Sequence, residues 1–184
     1  MKEIRYYFDM DGVLAKWNPD ASEEETHVPG YFFAREIELA VVALVNKLSE
    51  NGREVCILSS VYEDNHSAFE KRSWLNAVGL TSIKEIFVPY GKDKCEYIND
   101  QGIYLPVLID DYSKNLYAWE KKGYLPIKFF NGFNNQPKIT LIGDNIKVKT
   151  DGWSGYSIDH RMSVEQMYTV LTAISEAEAN NACA

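Results

Sequence analysis

Four short apolar runs, each delivering polar residues at or just beyond its end, constrain the fold of this chain more than any other feature. Arg5 to Phe8 leads into Asp9-Met10-Asp11-Gly12, and Glu54 to Leu58 leads into Ser59-Ser60. Ile86 to Val88 precedes Pro89-Tyr90-Gly91 and then Lys92-Asp93-Lys94, while Tyr104 to Ile109 leads into Asp110-Asp111. Such runs are too brief for helices and read as strands buried on both faces, the habit of a parallel sheet.

The intervening stretches carry helical signals. From about Arg35 to Glu50 the apolar residues Ile37, Val41, Leu44, Val45 and Leu48 form one stripe, stopped by Asn51-Gly52. Ser67 to Val78 is predicted as a helix closed by Gly79, and Ser113 to Lys122 as another, with Lys121-Lys122 at its negative end. Pro126 to Phe130 reads as a further strand and Asn131 to Gln136 as a loop. Lys138 to Gly143 and Ile146 to Lys149, joined by Asp144-Asn145, read as a hairpin, and Thr150 to Gly155 as a loop. Ser163 to Gln166 has capping-box spacing and opens a last helix to about Glu178, with Ala179 to Ala184 fraying.

Strand and helix alternate, so the expected class is α/β: a Rossmann-like, mostly parallel sheet with helices on both faces. A length of 184 residues without repeats or linkers suits one domain, 1–184. Ala15 to Phe33 stands apart as irregular, mixing Trp17-Asn18-Pro19, the acidic run Glu23 to Glu25 and Pro29-Gly30. Residues 15–34 are therefore the candidate lid, a small insertion over the site.

A formal net charge of −8 argues against a nucleic-acid polymer as partner. Cys56, Cys95 and Cys183 are widely spaced and odd in number, which suggests neither a disulfide framework nor a zinc site. No signal-peptide pattern opens the chain, and Leu39 to Val45, its longest uncharged apolar run, falls short of the ~20 residues that span a bilayer. A soluble cytoplasmic protein, monomer or homodimer, is the expectation.

A parallel sheet would gather Asp9, Asp11, Ser59, Ser60, Lys92 or Lys94, Asp110 and Asp111 at one edge, where open α/β sheets bind ligands. Taken singly, each group has an ordinary explanation: an Asx turn, a strand-to-loop turn, a solvated loop, acids at a helix start. Taken together they make a phosphate site. Four clustered carboxylates facing a phosphate dianion require a divalent cation and an ammonium, and Mg²⁺ is the hard cation that suits oxygen ligands.

Asp9-Met10-Asp11-Gly12-Val13-Leu14 resembles the first signature of the haloacid dehalogenase-like (HAD) superfamily. Ser59 after Val55 to Leu58, Lys94 or Lys92, and Asp110-Asp111 after Val107 to Ile109 resemble the other three, in order. Within that superfamily, Ile57 to Val61, Glu70 to Leu75, Asp93-Lys94 and Leu108 to Asp111 are similar to the 5'(3')-deoxyribonucleotidase family, whose pattern prefers Lys94 over Lys92. The insertion is shorter than that family's helical cap.

The resemblance implies a Mg²⁺-dependent phosphomonoester hydrolase working through an aspartyl-phosphate on Asp9, with Asp11 as acid and base. It implies metal ligands from Asp9, Asp11 through its carbonyl, and Asp110 and Asp111, the latter direct. Ser59, Ser60 and Lys94 would hold the phosphoryl oxygens. Asp11 favours phosphate esters over halides, and the short insertion favours hydrolysis over a mutase, which excludes water. The expected substrate is a small phosphorylated molecule, a deoxyribonucleotide first. Sugar phosphates, nucleic-acid ends or a non-catalytic phosphate-binding module are the alternatives. Trp17, Tyr31 and Tyr112 are candidate pocket aromatics.

Overall fold

The computed structural model describes residues 2–99, 102–134, 138–142, 145–149 and 152–181. In chain order the elements are β1 (Glu3–Phe8), α1 (Glu23–Thr26), α2 (Leu39–Glu50), β2 (Glu54–Val61), α3 (Ser67–Ala77) and β3 (Lys84–Pro89). A 3-10 turn at Lys94–Glu96 precedes β4 (Tyr104–Asp110), α4 (Ser113–Lys121) and β5 (Leu125–Phe130). Then come β6 (Lys138–Ile142), β7 (Asn145–Lys149), β8 (Ser157–Asp159) and α5 (Val164–Asn181).

Six strands form one sheet in the order β3-β2-β1-β4-β5-β8, every neighbouring pair parallel. All therefore end at the same edge. Phe8 lies between Ile57 of β2 and Ile109 of β4, which brings the residues following all three to one place.

The alternation of side chains along the strands explains why the runs are apolar throughout. Tyr6, Phe8, Ile57, Val107 and Ile109 point to one face, where they pack with Val41, Leu44 and Leu48 of α2, Leu75 of α3 and Met167 and Leu171 of α5. Tyr7, Cys56, Leu58 and Leu108 point to the other, against Leu116 and Trp119 of α4. Both faces are dry. Trp119 anchors the second face, edge-on to Tyr7 at 5.6 Å between ring centroids, with its indole N–H donated to the Pro106 carbonyl at 3.2 Å.

Several boundaries depart from the periodicity. The helix expected from Arg35 starts only at Leu39. Ile37 instead makes an antiparallel bridge with Ala15, Lys16 N–H donates to the Glu36 carbonyl at 2.8 Å and Glu38 N–H to that of Leu14 at 2.8 Å. The apolar residue that completes the helical stripe is thus partly buried against the core by a strand contact that also ties the two ends of segment 15–34 together. Inside that segment the acidic run is not irregular: Ser22 and Glu25 form a reciprocal capping box that opens α1. The hairpin pairs in antiparallel register from Lys138↔Lys149 to Ile142↔Asn145, while its turn, Gly143 and Asp144, lies outside the described residues, as do Asp151 and Cys183. Strand β8 has no sequence signal, and α5 runs past Glu178 to Asn181. Among the described residues no helix is long and apolar enough to cross a membrane.

Candidate active site

Strand β1 stops pairing just after Phe8, where Asp9 N–H still donates to the Ile109 carbonyl at 2.9 Å. The chain then wraps around the Met10 carbonyl, which accepts from the N–H groups of Val13, Leu14 and Ala15. Gly12 makes the wrap possible with φ +79°, and it has a second reason to be glycine. A Cβ there would collide with Asp111 Oδ2, so the missing side chain is what lets the β1 and β4 loops touch.

Asp9 is almost buried. Its Oδ1 accepts from Met10 N–H at 2.7 Å and lies 2.9 Å from Lys94 Nζ. Lys94, carried by the 3-10 turn and buried, also donates to Asp110 Oδ2 at 2.7 Å. Asp110 has no exposed surface; its Oδ2 accepts further from Asn115 Nδ2 at 2.9 Å and its Oδ1 from Tyr112 N–H at 2.8 Å. Asp111 accepts from Asn131 Nδ2 at 2.9 Å through Oδ2, and from Asn134 Nδ2 at 3.1 Å through its carbonyl. Asn131 bridges to the Gly12 carbonyl as well, at 3.2 Å.

These charges are unbalanced. Asp9, Asp110 and Asp111 each offer a carboxylate oxygen within 4.8 Å of the others. Burial works against the Lys94 ammonium, but Asp110 and Asp9 outweigh it and raise its pKa. Burial likewise drives the Asp111 carboxyl well above its usual range, with Asp110 and Asp9 adding to the effect. Lys94, and the buried Lys128 acting on Asp111, leave this compact set of three hard oxygen donors one charge short of balance, and such a set fits a small divalent cation such as Mg²⁺.

The Asp11 carboxylate is not among those three oxygens. It is paired with Lys71 of α3, whose Nζ also donates to Ser59 Oγ at 3.1 Å and to the Ser60 carbonyl at 2.6 Å. The Phe32 ring covers this ammonium, its centroid 4.5 Å away. Ser60 thus meets the cluster through its backbone. Lys92 lies exposed, away from these contacts, so the lysine of the site is Lys94.

Sequence reasoning assigned no role to Lys71 or Asn131. Lys71 carried a usable signal: it stands three and four positions before the buried Trp74 and Leu75, so a lysine occupies the core-facing stripe of its helix. A buried lysine there needs a carboxylate partner. Asn131 had no comparable mark, lying in an Asn-rich turn.

Of the pocket aromatics, Tyr112 is 60% and Trp17 47% exposed. Tyr31 packs edge-on to Phe32 and under the Arg35 guanidinium, and Tyr62, just beyond β2, packs between His27, Phe32 and Tyr90. A cleft of about 870 Å³ opens beside Gly12, lined among others by Trp17, Arg35, Asn131, Phe133 and His160.

No protein-family profile and no curated protein sequence matches the chain. Solved structures do. A hydrolase from Pseudomonas syringae superposes with a TM-score of 0.56 at 14% identity, over 94% of this chain and 100% of the other. D,D-heptose 1,7-bisphosphate phosphatase from B. bronchiseptica, complexed with magnesium and phosphate, gives 0.50 at 12% identity, over 95% and 99%. At such identities the likeness is one of architecture. Together with the all-parallel sheet and the acids gathered at its edge, it establishes that the chain has the HAD-like fold.

Proposed function

We propose that the chain is a Mg²⁺-dependent phosphomonoester hydrolase acting through an aspartyl-phosphate. The observation that carries this reading is the division of labour among the charges: Asp9 faces Lys94 within a three-carboxylate cluster, while Asp11, two residues on, pairs with Lys71, which also bonds Ser59. A phosphatase neighbour complexed with magnesium and phosphate supports it by analogy.

Asp9 attacks phosphorus, the bond to the leaving oxygen breaks, and Asp11 gives that oxygen its proton. Water then attacks the aspartyl-phosphate, Asp11 takes its proton back, and phosphate departs. Ser59, Lys94 and Lys71 hold the phosphoryl oxygens, with Ser60 shaping the same loop. A phosphate that draws Lys71 to itself releases Asp11 to carry the proton. Asp9, the Asp11 carbonyl and Asp111, with Asp110 in support, would hold Mg²⁺, which would supply neutralising charge to the phosphoryl group.

Segment 15–34 is the lid. Its Tyr31, with Tyr62 beyond the buried Phe32, offers half-buried aromatic surface near Lys71, which favours a nucleoside monophosphate over a sugar phosphate as substrate. A panel of deoxynucleoside monophosphates and sugar phosphates, assayed with Mg²⁺ and with chelator, tests the assignment. Hydrolysis that stops with chelator and falls at least ~10³-fold in Asp9→Asn is expected. A wild-type rate in Asp9→Asn refutes the scheme.

A further inference from the structure

Helix α3 reaches both the lid and the site, and two consecutive residues of that helix do different work. Glu70 is 7% exposed, yet among the described residues no lysine or arginine pairs with it. Its carboxylate is satisfied by backbone of the lid instead, Oε1 accepting from Gly30 N–H at 2.5 Å and Oε2 from Phe32 N–H at 3.1 Å. Gly30 adopts φ +96°, a bend that turns the chain so that both N–H groups meet one carboxylate.

The next residue, Lys71, holds Asp11 and Ser59, and the Phe32 ring that Glu70 brings down lies over the Lys71 ammonium. A buried carboxylate is costly to keep unless its hydrogen bonds are made, so Glu70 and the lid backbone hold each other.

We propose that Glu70 is a positioning residue for lid and chemistry together. Its two bonds clamp Gly30 and Phe32 onto α3, which seats Phe32 over Lys71, shields the Lys71 end of the Lys71–Asp11 pair from water and limits which leaving groups enter. This rests on the phosphatase reading. An anchor for the lid alone would leave turnover and selectivity untouched once the protein is folded. A clamp on the catalytic pair moves both.

The test compares Glu70→Gln, which is isosteric and keeps one acceptor, with Glu70→Ala. Amide hydrogen exchange at Gly30 and Phe32 is measured with and without inorganic phosphate. Kinetics are measured on p-nitrophenyl phosphate and on a deoxynucleoside monophosphate. In Glu70→Ala the two amides exchange about tenfold faster or more, kcat falls by a similar factor, and the ratio of kcat/KM between the two substrates moves towards one. Glu70→Gln lies between Ala and wild type, and it carries the test alone if the alanine variant does not fold. Unchanged exchange, or faster exchange with kcat and the substrate ratio intact, overturns the proposal. If the wild-type protein hydrolyses neither substrate, the phosphatase reading fails separately. The clamp is then judged by exchange: phosphate slows Gly30 and Phe32 in wild type and not in the variants, and equal slowing in all three overturns it.

Discussion

Lys71 and Lys94 are both buried cations in an acidic site, yet their neighbours give them different tasks. Lys94 sits between Asp9 and Asp110 and offsets charge that is there whether or not a ligand is bound. Lys71 bonds Asp11, the Ser59 hydroxyl and a carbonyl, and a phosphate can replace each of these partners. Lys71→Met should therefore fold, bind Mg²⁺ with near wild-type affinity, and lose ~10²-fold or more in kcat/KM, as expected when an electrostatic donor to the reacting group is removed. Steady-state kinetics alongside a metal titration checks this. Metal affinity that falls together with kcat/KM would place Lys71 in the carboxylate cluster instead.

At the scale of elements, α3 joins segment 15–34 to the end of β2 through Glu70 and Lys71, and its first turn hangs on Asp64. Asp64 Oδ1 accepts from Ser67 N–H at 2.7 Å and His66 N–H at 3.0 Å. Burial pushes its carboxyl up, but the bonds from Ser67 and His66 prevail and hold the pKa below the ordinary value. A carboxyl lowered on folding stabilises fully above its unfolded value of about 3.9 and loses that contribution as pH falls through the lower folded value. Asp64→Ala should cost about 1 kcal/mol at neutral pH, in the range of a lost helix cap. Urea denaturation across pH should show the gap to wild type closing below about pH 4. A gap independent of pH would mean that the cost comes from packing.

Elements differ in how plainly the amino-acid order announces them. The strand ends carrying Asp9, Ser59 and Asp110 are legible because a run buried on both faces must be apolar until it leaves the sheet, and the polar residues mark where it does. Without the family resemblance Lys94 is legible only as one of two lysines, because its burial depends on a 3-10 turn that three residues form without periodicity. The start of α2 escapes the pattern because Ile37 fits the helical stripe yet is partly buried by bridging Ala15, a contact no local signal encodes. Strand β8 is three residues long and exists because β5 offers it an edge.

For the whole molecule, the parallel sheet sets where charge accumulates. Six strands point the same way, so their acids converge on one edge, and the folded state concentrates negative charge that the unfolded chain spreads out. Binding of a divalent cation to the folded form alone should show as thermal stability. At free Mg²⁺ near a hundred times its Kd, mass action gives about 2.7 kcal/mol, a Tm rise of about 5–10 °C for a chain of this size. Thermal melts in Mg²⁺ and in chelator measure it, and an unchanged Tm at saturating Mg²⁺ would remove the cation from the site.

The contacts that close the site join residues far apart along the chain, 60 positions between Asp11 and Lys71 and 119 between Gly12 and Asn131. Closing loops of that length precedes any gain from the contacts they allow, so such pairings form slowly and late. A nascent chain that has made β1 already carries both Asp9 and Asp11, but it lacks the lysines that neutralise them and the asparagine that braces Asp111. The site waits for topology: the two aspartates gain their lysine and asparagine surroundings only when β2 to β5 are in place.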